Sequence, residues 1–219
     1  MSRPSLLRAA LHGVYLLPLL CFLIFCIYSA IPHIWFVYES QAHETVSLFE
    51  LWQNVSQTCQ SAQNSGTADE ATLQFADLMG AASVFFWIVI ALYGIFALAT
   101  AVCSTVAFLA PPTSVLSNKT KRILGLICPS RIVYLLLSLL PLLPSLFPHL
   151  LTFAYRTFLG LEIKVHASPF ADWVLALILV ALTVIPYIAT LPYQASERLD
   201  LFRIYRAGNK PLSKGDERA

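Results

Sequence analysis

The chain of 219 residues is 58% apolar and 12% charged, with a formal net charge of +2, whereas soluble domains average roughly 45–50% apolar and about 25% charged residues. A mean hydropathy of +0.70 and four apolar stretches of spanning length exclude a soluble globular protein and leave little chain for a large aqueous domain. The near-neutral balance excludes a nucleic-acid footprint and an acidic disordered tail.

In chain order, residues 1–13 form a short amino-terminal segment with Arg3 and Arg8. Residues 14–37 are the first predicted span, uncharged apart from a chargeable His33 and longer than the roughly 7–15-residue core of a signal peptide. Tyr28-Ser29-Ala30 puts a bulky ring where a cleavage site wants a small residue, so this segment is expected to remain as a helix. Residues 38–78 form a long connection, and 79–110 the second span, stopped by Pro111-Pro112, which remove two amide donors in succession. A middle loop at 111–131, a third span at 132–155, a short loop at 156–172, a fourth span at 173–193 and a tail at 194–219 complete the chain. Each span reaches the ~20 residues needed to cross about 30 Å of hydrocarbon.

Basic residues are distributed unevenly. Residues 38–78 have none and 156–172 have two (Arg156, Lys164), whereas the amino terminus, the middle loop (Lys119, Lys121, Arg122, Arg131) and the tail (Arg198, Arg203, Arg206, Lys210, Lys214, Arg218) hold twelve. The positive-inside rule then places both termini and the middle loop in the cytoplasm. The expected fold is an all-α membrane protein, a four-transmembrane-helix bundle with one long and one short outer loop.

The long loop carries Glu39, Glu44, Glu50, Asp69, Glu70 and Asp77 without a base. Their spacing is not that of a calcium loop, so a solvated acidic loop is expected and no metal. Two capping boxes are legible. Ser47-Leu48-Phe49-Glu50 would open a helix with Leu48, Leu51, Val55 and Cys59 on one face, although the same stretch tolerates a strand. Thr67-Ala68-Asp69-Glu70 would start a helix running through Gly80 into the second span. Asn54-Val55-Ser56 is an outward sequon, making Asn54 a glycosylation acceptor if the chain passes a secretory pathway; Asn118-Lys119-Thr120 faces inward.

Cys21 and Cys26 lie in the first span, Cys103 in the second and Cys128 at the inner membrane edge; only Cys59 meets an oxidising compartment. An intramolecular disulfide is therefore not expected, and the Cys59 thiol stays free or pairs between molecules. Cys128 is either an ordinary interfacial cysteine or an S-acylation site in a eukaryotic host. No Ser/His/Asp set, HExxH, CxxC or Walker loop is present. The spans contain no Asp, Glu, Lys or Arg, which argues against ion-coupled transport and proton pumping. Neither catalysis nor a cofactor is expected.

On the third span Ser138, Pro141, Ser145, His149 and Thr152 recur at helical spacing as a polar seam. Pro141, Pro144 and Pro148 should kink this helix. Thr183, Tyr187, Thr190 and Gln194 form a similar line on the fourth span, beside Pro186 and Pro192, and the second span offers Ala97, Ala101 and Thr105. Close helix packing is one reading of these faces, and a solute path between the third and fourth helices is the other. Residues 195–207 set Leu199, Phe202 and Tyr205 against Arg198, Arg203 and Arg206, the pattern of an interfacial helix; the last dozen residues should be disordered.

Trp35 lies at the end of the first apolar run, and Leu51-Trp52-Gln53-Asn54-Val55-Ser56 follows within the long outer loop. This pattern resembles the claudin and peripheral myelin protein superfamily, whose first outer loop carries a Trp and then a Leu-Trp motif, often followed by a sequon. The four-span topology, the long first and short second outer loops, and Thr72-Leu73-Gln74 leading into the second span extend the resemblance. One element is missing, because Val55 stands where a cysteine is expected and Cys59 is alone, which leaves the family's disulfide-braced outer sheet without its pair. The resemblance implies a left-handed bundle whose outer loops contact neighbouring molecules. It also implies a non-catalytic role in organising or joining membranes, with Trp52 as an aromatic anchor. The partners expected are the lipid bilayer, further copies of the chain or other membrane proteins, most naturally in the plasma membrane. The alternative is a small transporter or channel subunit.

Overall fold

The computed structural model describes residues 6–32, 34–37, 43–66, 69–109, 123–124, 126–128, 130–160, 164–167 and 173–196. His33, Thr67, Asn118, most of the basic residues of the middle loop and tail, and the interfacial tail helix lie outside the described residues.

The first helix, α1 (Leu6–Ala30), ends where Ile31 precedes Pro32, a position that disfavours helical geometry. The strand β1 (Ile34–Val37) follows, then β2 (His43–Val46) and α2 (Leu48–Ser65). A long helix, α3 (Glu70–Leu109), is succeeded by α4 (Arg131–Leu137), α5 (Leu142–Leu159), β3 (Lys164–Ala167) and α6 (Trp173–Ser196). Four stretches are long and apolar enough to cross a membrane: Ala9–Ala30, Glu70–Leu109, Arg131–Leu159 and Trp173–Pro192. Ile27, Val84, Ile95, Leu109, Ile132 and Ile185 on them are more than half exposed, as suits side chains whose solvent is lipid. The chain is thus a predominantly helical, multi-pass membrane protein.

Two boundaries differ from the sequence expectation. The first apolar run, expected as one span over 14–37, is helical from Leu6 to Ala30, and its last four residues are strand. Ile34-Trp35-Phe36-Val37 is β-branched or aromatic throughout, a composition suited to a pleated surface. The expected all-α fold therefore gains a three-stranded antiparallel sheet of order β2-β1-β3. Its register sets Trp35 opposite Thr45 and His166, so the strand between the third and fourth spans pairs directly with one between the first and second. The second helix starts at Glu70, nine residues before the apolar span, as the second capping motif suggested. Asp69 is the observed cap, its carboxylate accepting the Thr72 amide at 3.0 Å. A 40-residue helix is about 60 Å long, twice the hydrocarbon thickness. The exposed Glu70, Gln74 and Asp77 fit a stalk outside the bilayer.

Contacts divide the chain into two units. One comprises Met1–Leu20, Gly94–Ser138 and Leu182–Ala219. Its core is aromatic: Tyr134 of α4 lies 4.3 Å from Tyr187 of α6, 5.4 Å from Phe96 of α3 and 6.2 Å from Tyr15 of α1. Each span thus contributes one ring, and edge-to-face pairs of this kind contribute roughly 0.5–1.5 kcal/mol beyond their area. Nearby, His12 Nδ1 lies 2.6 Å from Ser104 Oγ while the imidazole stacks on Phe108 at 4.7 Å. The other unit, Cys21–Tyr93 with Leu139–Ala181, holds α2 and the sheet.

The third span is broken, as its prolines required, by a turn over residues 138–141. Only part of the expected seam faces inward. Ser138 and Ser145 are 1% and 2% exposed, whereas His149 is exposed and Thr152 partly so. Each step of four residues advances about 40° beyond a full turn, so the line through Pro141, Ser145 and His149 rotates out of the buried face, and Pro148 and Leu151 continue that face instead. On α3 Ala97 and Ala101 are buried as expected, and Thr105 partly. On α6 Thr183 and Tyr187 are buried.

Because Ser145 sits on the packed face and Leu143 is 37% exposed, Ser145→Leu should lower the folded yield in detergent more than Leu143→Ala, the larger side chain preventing close approach. Equal yields would place Ser145 against lipid or open space.

Candidate functional site

The helix α2 is specified locally at both ends. Ser47 Oγ accepts the Glu50 amide at 3.2 Å and the Glu50 carboxylate accepts the Ser47 amide at 2.9 Å, a reciprocal cap that uses two of the orphan amides of the first turn. Gly66, at φ 63°, closes the other end in the left-handed conformation that glycine adopts without a Cβ penalty. Between them, Leu48, Leu51, Trp52, Val55 and Cys59 are buried, the i, i+3, i+4, i+7 stripe of an amphipathic helix. The sequence expectation of one apolar face holds, and the strand reading of this stretch does not.

Trp52 is the centre of that face and is fully buried. Its indole stacks on Phe86 of α3, with centroids 5.6 Å apart and planes at 24°, and meets the edge of Phe147 of α5 at 5.0 Å and 75°. Phe86 and Phe147 touch each other at 5.6 Å. One turn earlier, Phe49 packs on Trp87 at 5.5 Å and Phe86 at 6.2 Å. Ser83 Oγ donates to the Trp52 carbonyl at 3.4 Å, and at the far end of α2 Gln63 Nε2 donates to Asp77 Oδ1 at 2.8 Å. Residue numbers rise along α2 as they fall along α3, so the two helices run antiparallel. Among the described residues Trp52 Nε1 has no hydrogen-bond partner, a cost that the ring contacts outweigh.

The opposite face of α2 is polar: Gln53, Asn54, Gln57, Thr58, Gln60, Ser61 and Asn64 are exposed, in line with the exposed Glu50 at the start of the helix. The Asn54 sequon lies on this face within the helix, the Asn54 carbonyl accepting the Thr58 hydroxyl at 2.9 Å. Leu51 is 2% exposed beside Trp52. Trp35 belongs to the central strand. Cys59 departs from its expected accessibility, being 4% exposed, so pairing between molecules would require α2 to lift. Burial and the negative Asp77 push its thiol up, which further lowers its reactivity. Val55, where the resemblance expects a cysteine, lies one turn from Cys59 on the same buried face. No group of three or more His, Cys, Asp or Glu gathers among the described residues.

Sequence reasoning identified Trp52 but missed its seat. Phe85-Phe86-Trp87 reads as ordinary span residues, and nothing in the local pattern distinguishes the buried Phe86 from its exposed neighbours Phe85 and Trp87.

Two outcomes follow from this geometry. Trp52→Ala should lower the thermal stability of the detergent-solubilised protein by about 3–5 kcal/mol, whereas Trp52→Phe, which keeps a ring and removes the unpaired N–H, should cost clearly less. Equal losses would indicate that the indole N–H is satisfied. The Ser47 bonds hold the Glu50 carboxyl below its ordinary range, so their stabilisation is complete above pH ~4.3 and is lost as pH falls through the depressed folded value. Protection of the first amides of α2, taken against the intrinsic exchange rate at each pH, should fall on acidification through that interval, and Glu50→Gln should abolish the fall while retaining the cap.

No family model, curated protein or solved structure matches the chain.

Proposed function

We propose that this multi-pass membrane protein acts by association, organising or joining membranes through its outer-loop face, and that it catalyses no reaction. The observation that carries the reading is the seating of α2. Trp52 fixes one face of the helix against α3 and α5, leaving a row of amides and hydroxyls exposed on the other. A surface ordered before encounter loses little conformational entropy on binding, and a face of amides and hydroxyls with a single carboxylate at its start suits reversible contact with a similar face. The pairing of β3 with β1 links the two outer connections and supports a single presenting platform. The likeness of Trp35 and Leu51-Trp52 to the claudin pattern supports the same role. In this reading the spans form a four-helix bundle in the plasma membrane with both termini cytoplasmic, and the partner is a second copy or another membrane protein.

The test uses Gln57→Cys, placed on the exposed face, because Cys59 is buried. Crosslinking through position 57 in intact membranes should yield a defined intermolecular product, and adding Trp52→Ala at matched surface expression should abolish it. An unchanged yield would contradict the association reading. If Pro144→Ala or His149→Ala instead changed solute flux, a transport subunit would replace it. Reporters fused after Lys214 and within residues 38–78 should report opposite sides of the membrane; a tail outside would overturn the orientation.

A further inference from the structure

We propose that Cys103 and Cys128 form a redox-switched dithiol, which a hydroperoxide converts to a disulfide fastening residues 123–128 to α3. Cys103, on α3, is fully buried, and its Sγ lies 3.9 Å from the Leu124 carbonyl oxygen. The Cys128 amide donates to that same oxygen at 2.8 Å. A single carbonyl thus gathers one thiol and the backbone of the other, which makes the two cysteines neighbours in space. Side chains so placed can be brought to the ~2.05 Å of a disulfide by rotation about their own bonds and a small shift of the Leu124–Cys128 turn.

The two thiols differ in access. Cys128 is half-buried, and the residues before it are apolar and open, Ile123 being 57% and Leu126 82% exposed. A thiol beside such a segment meets both water and the hydrocarbon edge, where lipid hydroperoxides collect. Cys103 is sealed from both. That division fits a reacting thiol with a resolving partner. In the first step the Cys128 thiolate attacks the distal peroxide oxygen: the O–O bond breaks, the sulfur is oxidised to a sulfenic acid, and the hydroperoxide is reduced and leaves as an alcohol. In the second, the Cys103 sulfur attacks the sulfenic sulfur; the S–S bond forms and hydroxide leaves, taking the Cys103 proton to form water. The disulfide would tie the connection between the second and third spans covalently to the second.

The full-length protein in detergent is treated with hydrogen peroxide or cumene hydroperoxide, alkylated with N-ethylmaleimide under denaturing conditions and mapped by mass spectrometry. Two of the five cysteines should be lost together in the monomer, recovered as one Cys103–Cys128 linked peptide and released by dithiothreitol. In Cys128→Ser, Cys103 should stay fully alkylatable. Sulfinic acid at Cys128, or a disulfide between molecules, with Cys103 still alkylated, would overturn the proposal; so would oxidation of Cys103 in Cys128→Ser at the wild-type rate. The wild-type map suffices should a variant at the buried Cys103 not fold.

Discussion

The placement of α2 depends on the burial of one indole. Trp52 is stacked on Phe86, edge-on to Phe147 and tied through its carbonyl to Ser83, so residues from α2, α3 and α5 meet at a single side chain. Burial of a ring of this size stabilises by roughly 2–3 kcal/mol, and an 18-residue helix is barely stable alone in water. The caps at Ser47 and Gly66 set where α2 begins and ends, and the ring contacts keep it folded. The exposed polar row exists as a surface only while that holds.

Within the spans many of the hydroxyls are satisfied close to home. The hydroxyls of Thr100, Thr105, Ser138, Ser145, Thr152 and Thr190 each donate to a carbonyl three or four residues earlier on their own helix, at 2.7–3.0 Å. A group that bonds its own backbone needs neither water nor a permeating solute. The burial of Ser138 and of Ser145 is therefore accounted for by close packing, and His149 on α5 is exposed.

What was legible in the sequence follows from interactions between residues close in the chain. Hydrophobic length revealed the four spans, Ser47-x-x-Glu50 the start of α2, and the Leu48, Leu51, Val55, Cys59 spacing its buried face. Three features were misread or unseen where distant residues decide. Ile34–Val37 looked like the end of a helix because its apolar character is the same in a strand; pairing with Val46 through His43 on one side and Ala167 through Lys164 on the other makes it a strand. Cys59 was expected to be open because it is outside the spans, yet α3 covers it. Phe86 and Phe147, sixty-one positions apart, are chosen as the seat by tertiary packing, which periodicity does not encode.

The central claim is that Trp52 and Phe147 act together to hold α2, and a double-mutant cycle measures it directly. Stability would be determined for the wild type, Trp52→Ala, Phe147→Ala and the double variant in one detergent. The contact predicts non-additivity of about 1 kcal/mol or more, the double variant losing less than the two singles combined. Strict additivity would mean that the two rings do not stabilise one another, and α2 would then be held by something other than its aromatic seat.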